Sequence, residues 1–465
     1  MIWPRSENVT HINYHYTQFG EIVDYLNSVT ENQVIALDCD IETNDITDII
    51  EKNSVSKIIM NVNYENAMNA FKMAQEIKKR YKAISMMAYG NLTVMFPELF
   101  INSDFDAIYR DGDFETCIES FINNYEKEVQ GTELEGMYLV KENSLIETRK
   151  GSFIKGSEWG MSKEGQVPVD EYNKRKGKNR YVINISRGCP FGCPHCLIQL
   201  TEGKKERRRD LDNLEKVIDK IKNKYKHIKI WAANFTLDKE YVIEFCKMMK
   251  EKFPDITWEC ATRIDLVRDE EMLEKMYEAG CRQISLGIES LNNEELIHTK
   301  KFKREQVLNA ILNIQHAGIN VKGCIMLGMP NQTKQSIIET LEFLVNNNVS
   351  IRPTIYTPYH TMSKDVDIRG LCNYNRKTLE NNNVSGVSAA QLLKLVRSPY
   401  EYRSILNIEN DKTKRELNSR EESLGPREIL DLTKMAIMTR PGYVSKQLEI
   451  IKREIDSNSK GEKEK

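Results

Sequence analysis

The chain has 465 residues, 40% of them hydrophobic, and a net charge of −2 from 67 basic and 69 acidic residues. This length is too great for one ordinary core, so two or three domains are expected. The balanced charge predicts no nucleic-acid partner, and no apolar run approaches a membrane span, so no membrane partner is expected. Ten cysteines without a signal-peptide pattern at residues 1–8 predict reduced thiols and a cytoplasmic location.

Residues 1–130 alternate between short apolar strands and amphipathic helices. Strands are predicted at 34–37, 57–62, 84–88 and 105–109, and helices at 21–28, 45–50, 65–81 and 114–125. This alternation predicts a doubly wound, Rossmann-like α/β domain with a parallel sheet. Ligands of such sheets bind beyond the carboxyl ends of the strands.

Residues 131–180 are predicted to form a connector between two domains. A small strand pair is expected at 135–140 and 144–148. The basic run at 174–180 is interpreted as a solvated linker.

Three cysteines lie within eight residues directly after an apolar strand, at the spacing C-x3-C-x2-C: Cys189, Cys193 and Cys196. Thiolates favour zinc, copper(I) and iron–sulfur clusters. A zinc site remains the alternative, but tetrahedral zinc needs a fourth ligand with its own recognisable spacing. Three thiolates on a tight loop can instead hold three irons of a [4Fe–4S] cluster and leave one iron open. Gly188 and Gly192 are expected to give the loop its backbone freedom.

A second α/β series runs from the cysteine strand to about residue 360. Its predicted strands are at 181–186, 228–235, 256–264, 283–290, 321–327 and 351–356, with helices between them. The series predicts a partial parallel (βα)6 barrel in residues 181–360, with its chemistry at the carboxyl ends of the strands. Residues 361–465 turn polar and are predicted to be a mostly helical region with a disordered tail.

The cysteine loop and its flanking strand resemble the cluster motif of the radical S-adenosylmethionine (SAM) enzymes. The resemblance implies that SAM chelates the open iron and is cleaved reductively to a 5′-deoxyadenosyl radical. It also implies SAM contacts at the strand ends, where residues 287–290 match the family's Gly-x-Glu-Ser. Relatives carry acidic residues where this chain has Ala232 and Ala233, so Asn234 or a backbone carbonyl is expected to serve the SAM amino group. The expected SAM contacts are His195, Asn234, Arg263, Glu289, Ser290 and Gly328.

Two of these contacts have an alternative interpretation. Arg263 either meets the SAM carboxylate with its guanidinium or pairs with Asp265. Gly328, like Gly323, either lies along the adenine or permits close helix packing.

The first domain resembles the cobalamin-binding domain that precedes the radical SAM core in one large subgroup. The matching segments are 89–93, 96–100 and 109–116. The Asp-x-His-x-x-Gly cobalt-ligand motif is absent, as it often is in the subgroup. Cobalamin is therefore expected to bind without histidine ligation, with Asn91 and Thr93 near the corrin or its nucleotide tail. Alternatively, the domain keeps the fold without the cofactor, because Tyr89 stands where relatives carry glycine.

Two further segments are candidates for contact with partners. The charged run 204–210 is expected to be a solvated face or to dock an acidic, low-potential electron donor such as flavodoxin. Tyr356, Tyr359 and His360 follow the last barrel strand and are candidates for contact with a small-molecule or peptide substrate. Ordinary packing is the alternative for these three residues.

The sequence therefore predicts a radical SAM enzyme with a [4Fe–4S] cluster. With cobalamin in the first domain, the resemblance implies methyl transfer to an unactivated carbon or phosphorus. Without cobalamin, a radical SAM oxidoreductase or epimerase is expected. A degenerate, non-catalytic iron–sulfur protein that does not bind SAM is the third alternative.

Overall fold

A computed structural model describes residues 1–6, 16–125, 133–175, 179–193, 195–292, 295, 302–356, 383–384 and 387–388. These residues fall into two compact units. The first unit contains Met1–Thr262 and Lys275–Arg282, and the second contains Arg263–Glu274 and Gln283–Tyr356. The domain bounds at 130, 180 and 360 stay a prediction. Tyr359, His360 and the helices expected after residue 389 lie outside the described residues.

The first unit contains a seven-stranded sheet formed by residues 2–147. Its strands are β1 (Ile2–Trp3), β2 (Leu37–Asp38), β3 (Lys57–Asn61), β4 (Ser85–Tyr89), β5 (Ala107–Tyr109), β6 (Met137–Lys141) and β7 (Ser144–Glu147). The strand order is β2-β1-β3-β4-β5-β6-β7. Strands β1 to β5 are parallel, whereas β6 and β7 are antiparallel additions. The first five strands have the flavodoxin-like order, in which the ligand edge lies at the carboxyl ends of β1 and β3.

Helices cover this sheet because its central strands are apolar on both faces. They are α1 (Tyr16–Val29), α2 (Ile46–Lys52), α3 (Ala67–Arg80), α4 (Asn91–Met95) and α5 (Phe114–Asn124). Ile58 and Met60 of β3 share a buried core with Ala70 and Ala74 of α3. Helix α1 packs against α5. The predicted doubly wound arrangement is confirmed, and β1 and α4 are additions that the sequence pattern did not predict.

The connector is more ordered than the sequence predicted. The expected strand pair forms the β6–β7 hairpin. Helix α6 (Val169–Arg175) was not predicted. Its buried Tyr172 hydroxyl donates to the Asp38 carboxylate at 2.6 Å. Arg180 pairs with Glu259 at 2.6 Å, with 16% and 11% of the two side chains exposed, so this end of the basic run is not a solvated linker.

The second α/β series also has parallel strands. It contains β8 (Tyr181–Asn184), β9 (Ser186–Arg187), α7 (Ile198–Thr201), β10 (Arg207–Arg208), α8 (Leu211–Ile221), β11 (His227–Trp231), α9 (Lys239–Lys252), β12 (Thr257–Arg263), α10 (Glu270–Glu278), β13 (Cys281–Glu289), α11 (Arg304–His316), β14 (Asn320–Leu327), α12 (Lys334–Asn346) and β15 (Ser350–Ile355). In the first unit, β11 pairs in parallel with β8 and β12. In the second unit, β14 pairs in parallel with β13 and β15. The mixed α/β class with parallel sheets is as predicted.

Two short antiparallel pairings accompany this series. Strand β9 pairs with β10, and this pair fixes the start of the cysteine loop. Strands β16 (Asn383–Val384) and β17 (Val387–Ser388) pair with each other. Within the described part of the chain, no helix is long and apolar enough to cross a membrane.

Candidate active site

The cysteine loop begins at a glycine whose backbone no other residue would adopt easily. Gly188 has φ +81°, and a Cβ atom there would lie 2.3 Å from the Lys205 carbonyl oxygen. Its N–H donates to the Glu202 carboxylate at 2.9 Å, and the next N–H, of Cys189, donates to the Gly203 carbonyl at 3.1 Å. Gly192 differs, because the nearest atom to a Cβ there would be 3.7 Å away. The fold therefore requires a glycine at position 188, whereas a Cβ at position 192 would meet no close contact.

The three loop cysteines are not joined in disulfide bonds, and Cys189 is buried whereas Cys193 and Cys196 are half-buried. Burial, together with the charges of Cys193 and Cys189, raises the pKa of Cys196 to about 11, so the three sulfurs lie near one another. Among the described residues, no three His, Cys, Asp or Glu side chains converge as ligands of one metal ion do. A [4Fe–4S] cluster needs a different arrangement of ligands, because each thiolate binds a different iron. This donor set fits a [4Fe–4S] cluster better than a single zinc ion.

Asn234 lies against the first of these cysteines. Its side-chain N–H donates to the Cys189 sulfur at 3.3 Å, and only 5% of the residue is exposed. Asn234 follows β11, whose carboxyl end pairs with the strand that leads into the cysteine loop. The sequence predicted that Asn234 would serve the SAM amino group, whereas the structure directs its amide at a cluster thiol.

A buried arginine immediately precedes the loop and was not predicted as functional. Arg187 donates to both Glu115 carboxylate oxygens at 2.7 and 3.0 Å, and its guanidinium lies 4.5 Å from the Trp159 ring centroid. The carboxylates of Glu21 and Asp113 lie 3.5 and 3.7 Å from guanidinium nitrogens of Arg187. Burial alone would lower the pKa of Arg187, but these three carboxylates raise it above its ordinary value.

The charged run after the cysteines extends this cluster of charges. Arg209 is fully buried and pairs with Glu21 at 3.1 Å. Arg207 makes a bidentate pair with Asp113 at 2.6 and 2.9 Å. The expectation of a solvated face at 204–210 is therefore wrong for these two arginines, whereas Lys204 and Lys205 are exposed. We call Glu21, Asp113, Glu115, Arg187, Arg207 and Arg209 the buried charge network.

The network joins the first sheet's helices to the strand that carries the cysteines. Glu21 lies on α1 and Glu115 on α5, whereas Arg187 lies on β9 and Arg207 on β10. All of these elements belong to the first unit. The cysteine loop is therefore anchored to the first domain by charge pairs that water cannot screen.

In the second unit, Glu289 ends β13 in a conformation that is unusual for a residue with a side chain. Its φ is +63°, and the pairing of β13 with β14 shifts register between Gly287 and Glu289. Burial raises the pKa of the Glu289 carboxyl to about 7. Strained backbone and a desolvated acid at a strand end are typical of binding and catalytic sites.

Ser290 and Gly328 shape neighbouring turns of the second unit. The buried Ser290 hydroxyl donates to Glu295 at 2.6 Å. Gly328 has φ +84°, and its N–H donates to the Gln332 side chain at 2.6 Å. Gly323 permits close packing, because a Cβ there would lie 3.2 Å from Leu344 on α12.

The remaining expected contacts have mixed placements. Arg263 makes a bidentate pair with Asp265 at 2.9 and 3.2 Å, which is the alternative that the sequence left open. Tyr356 is buried, and its N–H donates to the Leu327 carbonyl at 2.9 Å. His195 is half-buried on the cysteine loop.

At the ligand edge of the first sheet, the loops after β3 and β4 are joined. The Asn91 N–H donates to the Asn63 side chain at 2.7 Å. Gly90 has φ +130°, and a Cβ there would lie 2.7 Å from the Val62 carbonyl oxygen. Thr93 is fully buried, and its hydroxyl donates to the Gly90 carbonyl at 2.9 Å. Thr93 therefore stabilises this turn, whereas Asn91 remains half-buried at the edge.

Tyr89 does not project from the ligand edge. It is 1% exposed, and its ring packs edge-on against Phe114 with 5.1 Å between ring centroids. The Tyr89 side chain, which replaces the glycine of relatives, therefore lies inside the domain and not where a corrin would bind.

Residues 183–344 match the family model of the radical SAM superfamily. An uncharacterised methyltransferase of Pyrococcus horikoshii is 26% identical over 330 residues, which cover 69% of this chain and 71% of that protein. The structure of the radical SAM methyltransferase TsrM from Kitasatospora setae superposes with a TM-score of 0.63 at 14% identity, covering 77% of this chain and 74% of TsrM. The structure of OxsB, a cobalamin-dependent SAM radical enzyme, superposes with a TM-score of 0.62 at 18% identity, covering 80% of this chain and 55% of OxsB.

The structural similarity covers the first sheet as well as the cysteine-bearing series, since it spans more than three quarters of the chain. At 14% and 18% identity, this similarity shows a shared fold. The family model covers residues 183–344, which begin in the strand before the cysteine loop. The chain therefore contains a radical SAM domain at residues 183–344, and its fold, first sheet included, is similar to those of TsrM and OxsB.

Proposed function

We propose that this chain is a cobalamin-dependent radical SAM methyltransferase that acts on an unactivated carbon or phosphorus of a small molecule or peptide. The observation that carries the proposal is the contact between the first sheet's ligand edge and the cysteine loop. Helix α4 begins directly after β4 and packs against α7, which follows Cys196. Leu197 packs against the hydrophobic core of the first sheet. A corrin at this edge would lie beside the cluster, where it could carry a methyl group from SAM to the substrate.

Cys189, Cys193 and Cys196 would hold the [4Fe–4S] cluster. When bound, the cluster supplies the electron that cleaves SAM at its sulfur–C5′ bond. Glu289 would accept hydrogen bonds from the ribose hydroxyls, because its desolvated carboxyl ends a barrel strand. His195 would stack near the adenine. Ser290 and Gly328 would contribute SAM contacts through the turns that they shape. Tyr356 would contribute to the substrate side.

The first domain supports cobalamin binding through its loops. Asn91 is a half-buried polar residue after β4, and its N–H donates to Asn63 in the loop after β3, one of the two strands that flank the ligand edge. Residues 89–93 contain no histidine. Cobalamin would therefore bind without a histidine ligand from this turn. The similar structures of TsrM and OxsB both contain cobalamin.

Radical SAM enzymes generally need an electron donor, and we infer an acidic one such as flavodoxin. Fewer basic residues of the run 204–210 can meet a donor than the sequence suggested, because Arg207 and Arg209 pair with carboxylates of the buried charge network. The exposed Lys204 and Lys205 remain as a basic patch close to the cysteines. Replacing both lysines with glutamate should raise the KM for reduced flavodoxin without changing the rate with dithionite.

A cobalamin-free radical SAM enzyme is the second candidate, and one observation favours it. The loops after β3 and β4 hydrogen-bond to each other through Asn63, and Asn63 in turn donates to Asn61 at 2.8 Å. Because these polar groups hydrogen-bond to one another at the ligand edge, fewer of them are available to hydrogen-bond a cofactor. This candidate would carry out hydrogen abstraction, epimerisation or another oxidoreduction.

Product analysis separates the two candidates. The protein is reconstituted anaerobically with iron and sulfide, with and without hydroxocobalamin, and incubated with SAM and a strong reductant. The methyltransferase predicts retention of cobalamin through gel filtration and formation of S-adenosylhomocysteine beside 5′-deoxyadenosine. Formation of 5′-deoxyadenosine alone, with no retained cobalamin, would favour the cobalamin-free enzyme.

A further inference from the structure

We propose that Asn234 tunes the reduction potential of the cluster by donating a hydrogen bond to the thiolate of Cys189. The inference rests on the proposed function, because it requires a cluster on Cys189. It assigns Asn234 to the cluster rather than to the SAM amino group. Asn234 is thus a positioning residue that controls how readily the cluster accepts an electron.

The geometry of the donor carries the inference. The Asn234 side-chain nitrogen lies 3.3 Å from the Cys189 sulfur, which stands for the iron-bound thiolate of the loaded enzyme. Both residues are buried, with 5% of Asn234 and 7% of Cys189 exposed. Water therefore does not compete for the sulfur on this side, and a hydrogen bond in such surroundings is stronger than one in solvent.

The amide is also held in place by its neighbours. Asn234 begins a short 3₁₀ turn, in which the Leu237 N–H donates to the Asn234 carbonyl at 3.2 Å. The next residue, Phe235, is fully buried and packs edge-on against Phe245 and Trp258, with 5.4 Å between ring centroids in each case. The donor is therefore preorganised by a rigid aromatic core and needs no rearrangement when the cluster changes charge.

The direction of the effect follows from electrostatics. Reduction adds one electron to the cluster and increases the negative charge on its sulfurs. An N–H dipole directed at a cysteine sulfur stabilises the reduced state more than the oxidised state and raises the potential. Loss of this donor should lower the potential and make the cluster harder to reduce. The Asn234 amide is uncharged, so its removal changes this hydrogen bond without changing the net charge of the site.

The test compares Asn234→Leu with wild type in an EPR-monitored redox titration of the anaerobically reconstituted protein without SAM. We expect the ratio of reduced to oxidised cluster at a fixed potential to fall about tenfold, a shift of about 59 mV for a one-electron couple. Asn173→Leu is the matched control, because Asn173 is also 5% exposed but accepts a hydrogen bond from the Arg180 N–H. This control should leave the midpoint potential unchanged.

A second variant covers the case in which leucine prevents folding or cluster assembly. Asn234→Ser keeps a small polar side chain but cannot reach the sulfur, and it should show the same shift to lower potential. An unchanged midpoint in the variant that assembles a cluster, with weakened SAM binding in calorimetry, would overturn the inference and return Asn234 to the SAM amino group. If wild-type protein binds fewer than about four irons per chain and gives no cluster signal, the proposed function itself fails.

Discussion

The buried charge network gives the sharpest prediction about how the cysteine loop is held. Glu115→Gln removes one carboxylate from a set of three arginines and three carboxylates, so the network gains an uncompensated positive charge. The Glu115 side chain is 1% exposed and the Arg187 side chain 3% exposed. Arg187 would keep Glu21 at 3.5 Å and Asp113 at 3.7 Å, but both are shared with other arginines.

Breaking a buried pair by removing one partner costs about 3–5 kcal/mol, because the other charge stays in the interior without compensation. We expect Glu115→Gln to lower the free energy of unfolding of the first unit by about this amount. The control is Glu51→Gln. Glu51 pairs with Arg80 at the same 2.7 Å, but with 56% and 59% of the two side chains exposed. Exposed pairs contribute about 0–1 kcal/mol, so this variant should resemble wild type.

The assay is urea unfolding of the iron-free protein, followed by tryptophan fluorescence and circular dichroism. The double variant Arg187→Met/Glu115→Leu should lose less stability than the sum of its single variants, because each substitution removes the partner that the other leaves unpaired. The reasoning is refuted if Glu115→Gln and Glu51→Gln have the same small effect. Strict additivity of the double variant would contradict the pairing of Arg187 with Glu115.

Three further predictions concern the cluster loop, the SAM side and the first domain. Gly188→Ala should bind less than half of the wild-type iron after reconstitution, because a Cβ would lie 2.3 Å from the Lys205 carbonyl, whereas Gly192→Ala, with 3.7 Å to the nearest atom, should bind the full amount. Burial raises the Glu289 pKa to about 7 from 4.5, so between these pH values the folded protein holds a proton that the unfolded chain has released, and stability should fall as pH rises. The pH dependence of the free energy of unfolding should amount to up to roughly 3 kcal/mol between pH 5 and 8, and Glu289→Gln should abolish it. If the variant shows the same dependence as wild type, the raised pKa does not belong to Glu289. Protein loaded with cob(II)alamin should show an EPR spectrum without strong nitrogen superhyperfine splitting, and a split spectrum would mean that a nitrogen base ligates cobalt.

The sequence predicted those features that depend on short-range patterns. Alternating apolar runs indicated the strands β3, β4 and β5 and the helices between them, because burial imposes a period on the residues of each element. The spacing of Cys189, Cys193 and Cys196 indicated the cluster loop, since all three ligands come from one segment. Two-residue strands such as β1 carry no period, and nothing in their sequence distinguishes them from a loop.

The buried charge network could not be predicted because its partners are distant in the sequence. Arg209 and Glu21 are separated by 188 residues, and Arg187 and Glu115 by 72. Read locally, a run of charged residues such as 204–210 indicates a solvated surface. Only the fold shows that Arg207 and Arg209 turn inward, where the carboxylates of Asp113 and Glu21 meet them. The sequence signalled a role for Arg187 only by its position, between an apolar strand and the cysteine motif.

The hydrogen-bond partner of Asn234 at the candidate site also could not be predicted from the sequence. The sequence placed it correctly at the end of a barrel strand, and the resemblance supplied the SAM amino group as its partner. The identity of its nearest partner depends on how β11 pairs with β8, because this pairing brings the Cys189 sulfur within 3.3 Å. Hydrogen-bond partners across strands are a property of register and cannot be obtained from one strand alone.

The central claim is that Cys189, Cys193 and Cys196 hold a cluster that cleaves SAM. The most direct measurement is the yield of 5′-deoxyadenosine from SAM after anaerobic reconstitution and reduction with titanium(III) citrate, in wild type and in Cys189→Ala. We predict 5′-deoxyadenosine from the wild-type protein and none above background from the variant. The account is contradicted if the wild-type protein binds SAM and a reduced cluster but forms no 5′-deoxyadenosine, or if Cys189→Ala forms as much as wild type.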